Sequence, residues 1–335
     1  MARALIAALE HGGAKVTLAS RFRSRDGAGN VETQERLIAE AAAALPAIIA
    51  KGRSAGWQAW ITYHSYYKAP DLLGPQAARA LKIPYLQIEA TRAAKRLNGP
   101  WARFAQAAEQ ACDAANVIFY LTHRDAEALR ANAPAGQHLI HLPPFLNTET
   151  LPPQSSTTGP MLAVGMMREG DKLASYRIIA ETLAVLPNIG WQFRIAGDGP
   201  ARGAVETLMA PFGDAVTFLG QLDTDALATA YQNAALLFWP GVNEAFGLTY
   251  LEAQAAGLPV VAQLRPGVRD VLAPGDYPLP RTGPDGLAAR LSFLLGNAAD
   301  RHSAGNAARA FVKLHHTRPA ATAVLKNSLA GLGVA

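Results

Sequence analysis

Short apolar runs alternate with longer stretches of helical periodicity along almost the whole chain. Residues 16–20, 60–64, 85–89, 117–122 and 138–142 read as strands, separated by Ala-rich helical patterns at 32–51, 75–81 and 103–115. A second series follows, with strands at 161–165, 191–196, 216–219, 236–239 and 259–262 and helical patterns at 173–186 and 247–256. Strands spaced by helices make βα units and parallel sheets, whose ligands collect at the carboxyl ends of the strands. The expected fold class is therefore α/β, with two doubly wound, Rossmann-like domains facing a cleft. Residues 1–150 make the first domain, 151–159 a linker rich in Pro, Ser and Thr, 160–300 the second domain, and 301–335 a terminal helical segment. The start is anomalous, because 1–10, Gly12-Gly13 and 16–20 read helix, turn, strand. A doubly wound domain opens on a strand. The first domain is expected to lack that strand and the loop after it, as from a misplaced start.

Composition narrows the class. The chain has 335 residues, half of them apolar and 17% charged, which suits two domains with ordinary cores. Alanine fills about one position in five and favours helix. No apolar run approaches the roughly 18 residues that span a bilayer. Cys112 stands alone, excluding an intrachain disulfide and a Cys-cluster metal site. A reducing, cytoplasmic setting is expected. Residues 1–150 carry 17 Lys and Arg against 12 Asp and Glu, whereas 151–335 carry 14 of each. The positive excess gathers at Arg21, Arg23 and Arg25 and again at Arg92, Lys95, Arg96 and Arg103. Such a face attracts phosphate or anionic lipid, or is simply a solvated surface. Nothing matches a nucleic-acid-binding signature.

The stretch 240–261 carries the chemistry. It follows an apolar strand, forms a loop, and enters a helix at about Gly247, with Glu244 at the loop mouth and Glu252 inside the helix. Phe246, Gly247 and Leu248 offer backbone N–H groups at a helix start, which suit a phosphate or a developing negative charge. A Glu beside a helix start is commonly only a dipole partner. The whole string at a strand–loop–helix junction is more specific.

Glu244 and Glu252 are separated by seven residues, and with Ala245-Phe246-Gly247 and Ala256-Gly257-Leu258-Pro259-Val260-Val261 the stretch resembles the retaining family-4 (group 1) glycosyltransferases of the GT-B fold. Val164-Gly165, Ile195-Ala196-Gly197-Asp198-Gly199-Pro200, Val216-Thr217-Phe218-Leu219-Gly220 and Leu142-Pro143-Pro144-Phe145-Leu146-Asn147 extend the likeness, strongly over 160–275 and weakly before 115. The resemblance implies a transferase of polysaccharide or glycolipid biosynthesis that takes its sugar from a nucleoside-diphosphate donor, with no cofactor and no metal. Glu252 would hold the ribose hydroxyls and Glu244 would lie near the transferred sugar. Ala245, Phe246, Gly247 and Leu248, with Gly165, Gly197 and Gly199, would line the donor site. Arg168 and Lys172 would neutralise the diphosphate, although the family's Arg directly follows the Gly, where this chain has Met166, and Lys172 stands one position late. The segment after about 300 would pack back across the cleft.

On the acceptor side, strand-end placement points to His64, Glu89, Arg92 and Lys95. Family members commonly place a His where Glu89 stands. Glu89 serves as an acid or base there, or pairs with Arg92 or Lys95. Tyr63, Tyr66 and Tyr67 stack on a sugar or fill core. Asp223-Thr224-Asp225 resembles a metal-holding Asp-x-Asp, but it precedes a helical run at 226–234 and reads as a cap. His315-His316 reads as surface and Cys112 as packed in a helix face. The acceptor is expected to be phosphate-bearing or membrane-borne, met at the inner face of the membrane through the basic first half. The alternative is a non-catalytic nucleotide-sugar-binding protein, or a truncated, inactive transferase.

Overall fold

The computed structural model describes residues 1–334, and the chain divides into two compact units, Met1–Pro143 joined by the stretch from Ala321 onward, and Pro144–Ala320. The first unit runs α1 (Ala2–His11), α2 (Val31–Ala55), β1 (Trp60–Tyr63), α3 (Gly74–Leu81), β2 (Tyr85–Ile88), α4 (Ala102–Ala114), β3 (Val117–Tyr120), α5 (His123–Ala131) and β4 (His138–His141). Its four strands are parallel, in the order β1-β2-β3-β4. β2 and β3 are buried at every position, because helices cover both faces. Asn30 caps α2 by accepting from Thr33 N at 2.7 Å, and Gly56, at φ 62°, ends it in the left-handed conformation.

The second unit runs β5 (Met161–Val164), α6 (Asp171–Val185), β6 (Phe193–Ala196), α7 (Arg202–Met209), β7 (Val216–Gly220), α8 (Thr224–Gln232), β8 (Leu236–Phe238), α9 (Leu248–Ala255), β9 (Val260–Val261), α10 (Gly283–Gly296) and α11 (Ala298–His315). Helix α12 (Arg318–Gly331) then carries the chain into the first unit, where Thr322 Oγ1 donates to the Ala8 carbonyl at 2.8 Å. The sheet order is β7-β6-β5-β8-β9, all parallel. The order reverses between β5 and β8, and the crevice outside the carboxyl ends of such a pair is where open α/β sheets bind ligands. The α/β class and the paired parallel sheets agree with the sequence patterning.

Three expectations are corrected. Residues 16–20 form no strand: Leu18 is 63% exposed, and the ladder begins at Trp60. Alternation along a segment describes one face and is silent about whether a partner exists. The Pro- and Ser-rich stretch expected as a linker at 151–159 belongs to the second unit. There Ser155 N donates to Ala256 O at 2.8 Å, and Ser155 Oγ donates to Ala234 O at 2.7 Å. Small hydroxyl residues suit a solvated linker and a bonded crossing strap equally well. The side chain of His316 is buried, with Nδ1 2.6 Å from the Pro144 carbonyl, so this residue is not surface.

Asp223 caps α8 by accepting from Ala226 N at 2.9 Å. Among the described residues no helix is long and apolar enough to cross a membrane. Asp223→Ala is expected to cost about 1 kcal/mol of stability, read as a lower urea midpoint that added Mg²⁺ does not restore.

Candidate active site

The loops after β5 and β8 meet at the switch point of the second sheet. Gly165 directly follows β5, and a Cβ there would lie 2.8 Å from the Trp239 ring, so only glycine lets the indole lie across the strand end. Trp239 Nε1 donates to Glu244 Oε1 at 3.0 Å, and the Lys172 ammonium pairs with the same oxygen while lying 5.3 Å from the indole centroid. Both charged side chains are mostly buried, at 19% and 13% exposure. In such a setting an ion pair is costly to break from one side. Tyr176 stands edge-on to Trp239 at 5.2 Å and donates to the Gly165 carbonyl at 2.9 Å. Tyr250 hydroxyl donates to the Trp239 carbonyl at 3.2 Å.

The loop carrying Glu244 is tied at its tip. Asn243, at φ 48°, donates through Nδ2 to Asp171 Oδ1 at 2.9 Å, and Val242 N donates to Ser175 Oγ at 3.1 Å. Asn tolerates the left-handed region that the turn demands. A Cβ at Gly267 would lie 2.2 Å from the Ala245 carbonyl, so the loop after β9 presses on its other side. Gly247, at φ 76°, opens α9, and no side chain caps that helix. Its first amides therefore point out without a side-chain acceptor. Ala245 and Leu248 are exposed beside half-buried Phe246.

Glu252 lies on α9 and accepts from the Tyr231 hydroxyl of α8 at 2.9 Å. Burial pushes its carboxyl above the ordinary 4.5, and the Tyr231 bond offsets this only in part. Arg168 is exposed on the loop between β5 and α6. Gly197 and Gly199 are held by close packing, since a Cβ would lie 1.9 Å from the Gly165 carbonyl and 2.3 Å from that of Met167. Residue-type reasoning missed Trp239, Asn243, Ser175 and Tyr231. Of these, only Asn243, two residues after a glycine in a loop, left a readable sign.

In the first unit, His64 and Glu89 follow β1 and β2, and both adopt left-handed backbone, at φ 62° and 58°. The ladder pins them there, His64 N donating to Ile88 O and Glu89 N to Phe119 O, each at 2.9 Å. Non-glycine residues held so are strained, a feature that clusters at functional sites. Their side chains meet with His64 Nδ1 3.4 Å from Glu89 Oε2. The bond to Glu89 raises the imidazole's pKa, with burial pulling the other way. Burial, then Glu89, holds Tyr63 protonated. The expected pairing of Glu89 with Arg92 or Lys95 is not found. Arg92, its side chain 5% exposed, grips Glu109 and Asp113 at 2.6 Å each and pins the loop after β2 to α4. Lys95 is exposed.

A cavity of about 500 Å³ opens at the amino-terminal edge of the second sheet, lined among others by Met161, Trp191, Thr217 and Ala235. It lies at the wrong end of the strands for this chemistry.

A two-domain α/β protein with its candidate groups at strand carboxyl ends has close structural likenesses. Solved neighbours include sucrose-phosphate synthase from Thermosynechococcus elongatus (TM-score 0.65, 20% identity, 90% of this chain and 80% of that one). Another is Anabaena HepE in complex with UDP-glucose (TM-score 0.64, 15% identity, 88% and 82%). These define the fold as GT-B. Residues 174–311 match the family model described as glycosyl transferases group 1. Among curated relatives, 2-deoxystreptamine glucosyltransferase of Streptomyces kanamyceticus is 28% identical over 57% of this chain and 55% of its own length. Phosphatidyl-myo-inositol mannosyltransferase of Mycolicibacterium smegmatis is 36% identical over 41% of this chain and 37% of its own. An exopolysaccharide phosphotransferase of Streptomyces coelicolor is 30% identical over 58% and 21%. The chain thus spans about half or less of the length of these curated relatives.

Two outcomes are expected from these environments. An acid with a raised pKa binds its proton more readily folded than unfolded. Its penalty is therefore full at neutral pH and fades as pH falls through the folded value toward 4.5. Glu252→Gln, which keeps an acceptor for Tyr231, is expected to melt above the wild type near neutrality, the gap closing in acid, as thermal melts across pH will read. Glu89→Gln is expected to drop the His64 titration midpoint below its ordinary 6.5, since burial then acts alone, as an NMR pH titration will follow.

Proposed function

We propose that the chain is a glycosyltransferase of the group 1 kind, moving a sugar from a nucleoside-diphosphate donor to an acceptor with retention at the anomeric carbon and without a metal. The observation that carries this reading is the joint placement of Lys172, Glu244 and the uncapped start of α9 at the switch point of a sheet four of whose five strands lie in the stretch that matches the family model. The glucosyl- and mannosyltransferase relatives support it, as does the UDP-glucose named for HepE.

In this reading the bond between the sugar's anomeric carbon and the diphosphate oxygen breaks, and its electron pair leaves with the diphosphate. An acceptor hydroxyl oxygen bonds the carbon, and its proton passes to the departing diphosphate oxygen. Positive charge builds on the sugar and negative charge on the diphosphate. Lys172 has three donor hydrogens, and its bond to Glu244 leaves two for phosphate oxygens. Arg168 on the neighbouring loop and the amides of Gly247 and Leu248 add to that field. Glu244 lies where the sugar would sit. Glu252 keeps Oε1 for ribose hydroxyls while Oε2 is held by Tyr231. His64 and Glu89 belong to the acceptor side, where a carboxylate-backed imidazole is suited to hold a hydroxyl.

Each charge-assisted contact is worth about 1.5–3 kcal/mol, or roughly tenfold to a hundredfold in rate if made only in the transition state. Arg168→Ala and Lys172→Ala are each expected to lower turnover by at least tenfold, measured as slow hydrolysis of whichever UDP-, GDP- or ADP-sugar stabilises the protein. Turnover is expected to persist in EDTA. Unchanged kinetics in both variants would remove the two cations from the mechanism, and loss in EDTA would refute the metal-free reading.

A further inference from the structure

The first unit holds positive charge that its carboxylates do not answer. Arg92 is taken by Glu109 and Asp113, Arg103 by Glu35 at 2.8 Å, and Arg36 by Glu40. Lys68 and Arg96 meet no carboxylate among the described residues. Instead both lie against the same two rings. Lys68 Nζ is 5.7 Å from the Tyr67 centroid and 5.2 Å from that of Trp101, and the Arg96 guanidinium carbon is 5.1 and 5.4 Å from them. The rings stand edge to face at 5.7 Å, with Tyr66 continuing the row at 5.8 Å from Tyr67 and His64 at 4.9 Å from Tyr66. Arg96 Nε is buried and meets no acceptor.

The cluster is built, not draped. Trp101 Nε1 donates to the Asp26 carbonyl at 3.2 Å, and Asp26 N donates to the Lys68 carbonyl at 2.9 Å. Asp26 meets Trp101 and Lys68 through its backbone. Its buried carboxylate turns inward, accepting from Ala28 N at 2.9 Å, Gly29 N at 3.0 Å and Gln34 Nε2 at 2.7 Å. Gly29 is pressed so closely that a Cβ would lie 2.6 Å from Pro100 Cβ. This strap places exposed Arg23 and Arg25 on either side of Ser24, which donates to the Pro70 carbonyl. Two cations sharing a ring pair repel, and an ordinary surface would intersperse an acid. An anion between them would relieve the repulsion, and ring faces suit the C–H face of a sugar.

We infer that Tyr67, Trp101, Lys68 and Arg96 form a binding site for an anionic saccharide, a sugar ring bearing a phosphate ester or a carboxylate. The inference rests on the proposed transferase only in naming that saccharide as the acceptor. The rings take the sugar face, and the planar guanidinium of Arg96 with the Lys68 ammonium takes the charged group.

The test is calorimetric titration of the full chain with glucose 1-phosphate, glucuronate, glucose and inorganic phosphate. At least one of the two anionic sugars is expected to bind tenfold or more tighter than both glucose and inorganic phosphate, and the tighter of them tells phosphate from carboxylate. Arg96→Gln is expected to lose that binding by tenfold or more, with Arg96→Lys restoring part of it. Trp101→Leu is expected to weaken the sugar and leave inorganic phosphate unchanged. Glucose or inorganic phosphate binding as tightly as the anionic sugars, or Arg96→Gln binding them unchanged, would overturn the site. Thermal stabilisation by nucleotide sugars reads the second unit separately. If they stabilise neither protein while Arg96→Gln still loses the anionic sugar, the transferase reading fails and this site stands.

Discussion

The second unit is organised around one charged contact, the Lys172 ammonium on Glu244 beneath the Trp239 indole. It bridges the first turn of α6, the helix that follows β5, and the loop after β8, where the strand order turns back on itself. Breaking it from one side leaves an unpaired charge in a mostly enclosed place, so each segment constrains the other. The neighbouring contacts serve the same end. Asn243 to Asp171 and Val242 to Ser175 tie the loop to the first turn of α6, and Gly165 and Gly267 let its walls close in. A site assembled this way is preorganised, with Lys172 held near a fixed point before any anion arrives.

The first unit handles charge differently. Arg92 is locked into a structural clamp, whereas Lys68 and Arg96 lean on aromatic faces, which hold a cation without neutralising it. His64 ends that row and meets Glu89, both with backbones held in a conformation that side chains ordinarily avoid. Opposite charges meet at the centre of the second unit's site, whereas in the first they clamp a loop and leave two cations to the rings.

Much of this was legible in the chain. Nine of the ten strand-like runs became strands, because a buried parallel strand is a short apolar run between helical patterns and little else looks like one. The exception, 16–20, has a strand's alternation but no partner, and pairing is a non-local fact. The string from Glu244 to Val261 marked its loop and helix because glycine and acid positions there answer to local geometry. Tyr231 on Glu252 and Trp239 on Glu244 could not be read, since a buried aromatic fills core in most contexts and its one polar atom leaves no trace in periodicity. The partners of Arg92 are hidden for a related reason. A cation near a strand end reads as a ligand group until its partners are known, yet Glu109 and Asp113, four apart on α4, were a hint of a two-toothed grip.

Helix α12 has a consequence for how the molecule is made. The Ala8 carbonyl in α1, besides accepting from Gly12 N, accepts from a hydroxyl 314 residues further along, at Thr322. A ribosome delivers α1 early and its partner very late, so the unit begun first is finished last. The intervening unit, uninterrupted from Pro144 to Ala320, is free to fold meanwhile, and α1 waits for the chain to come back round.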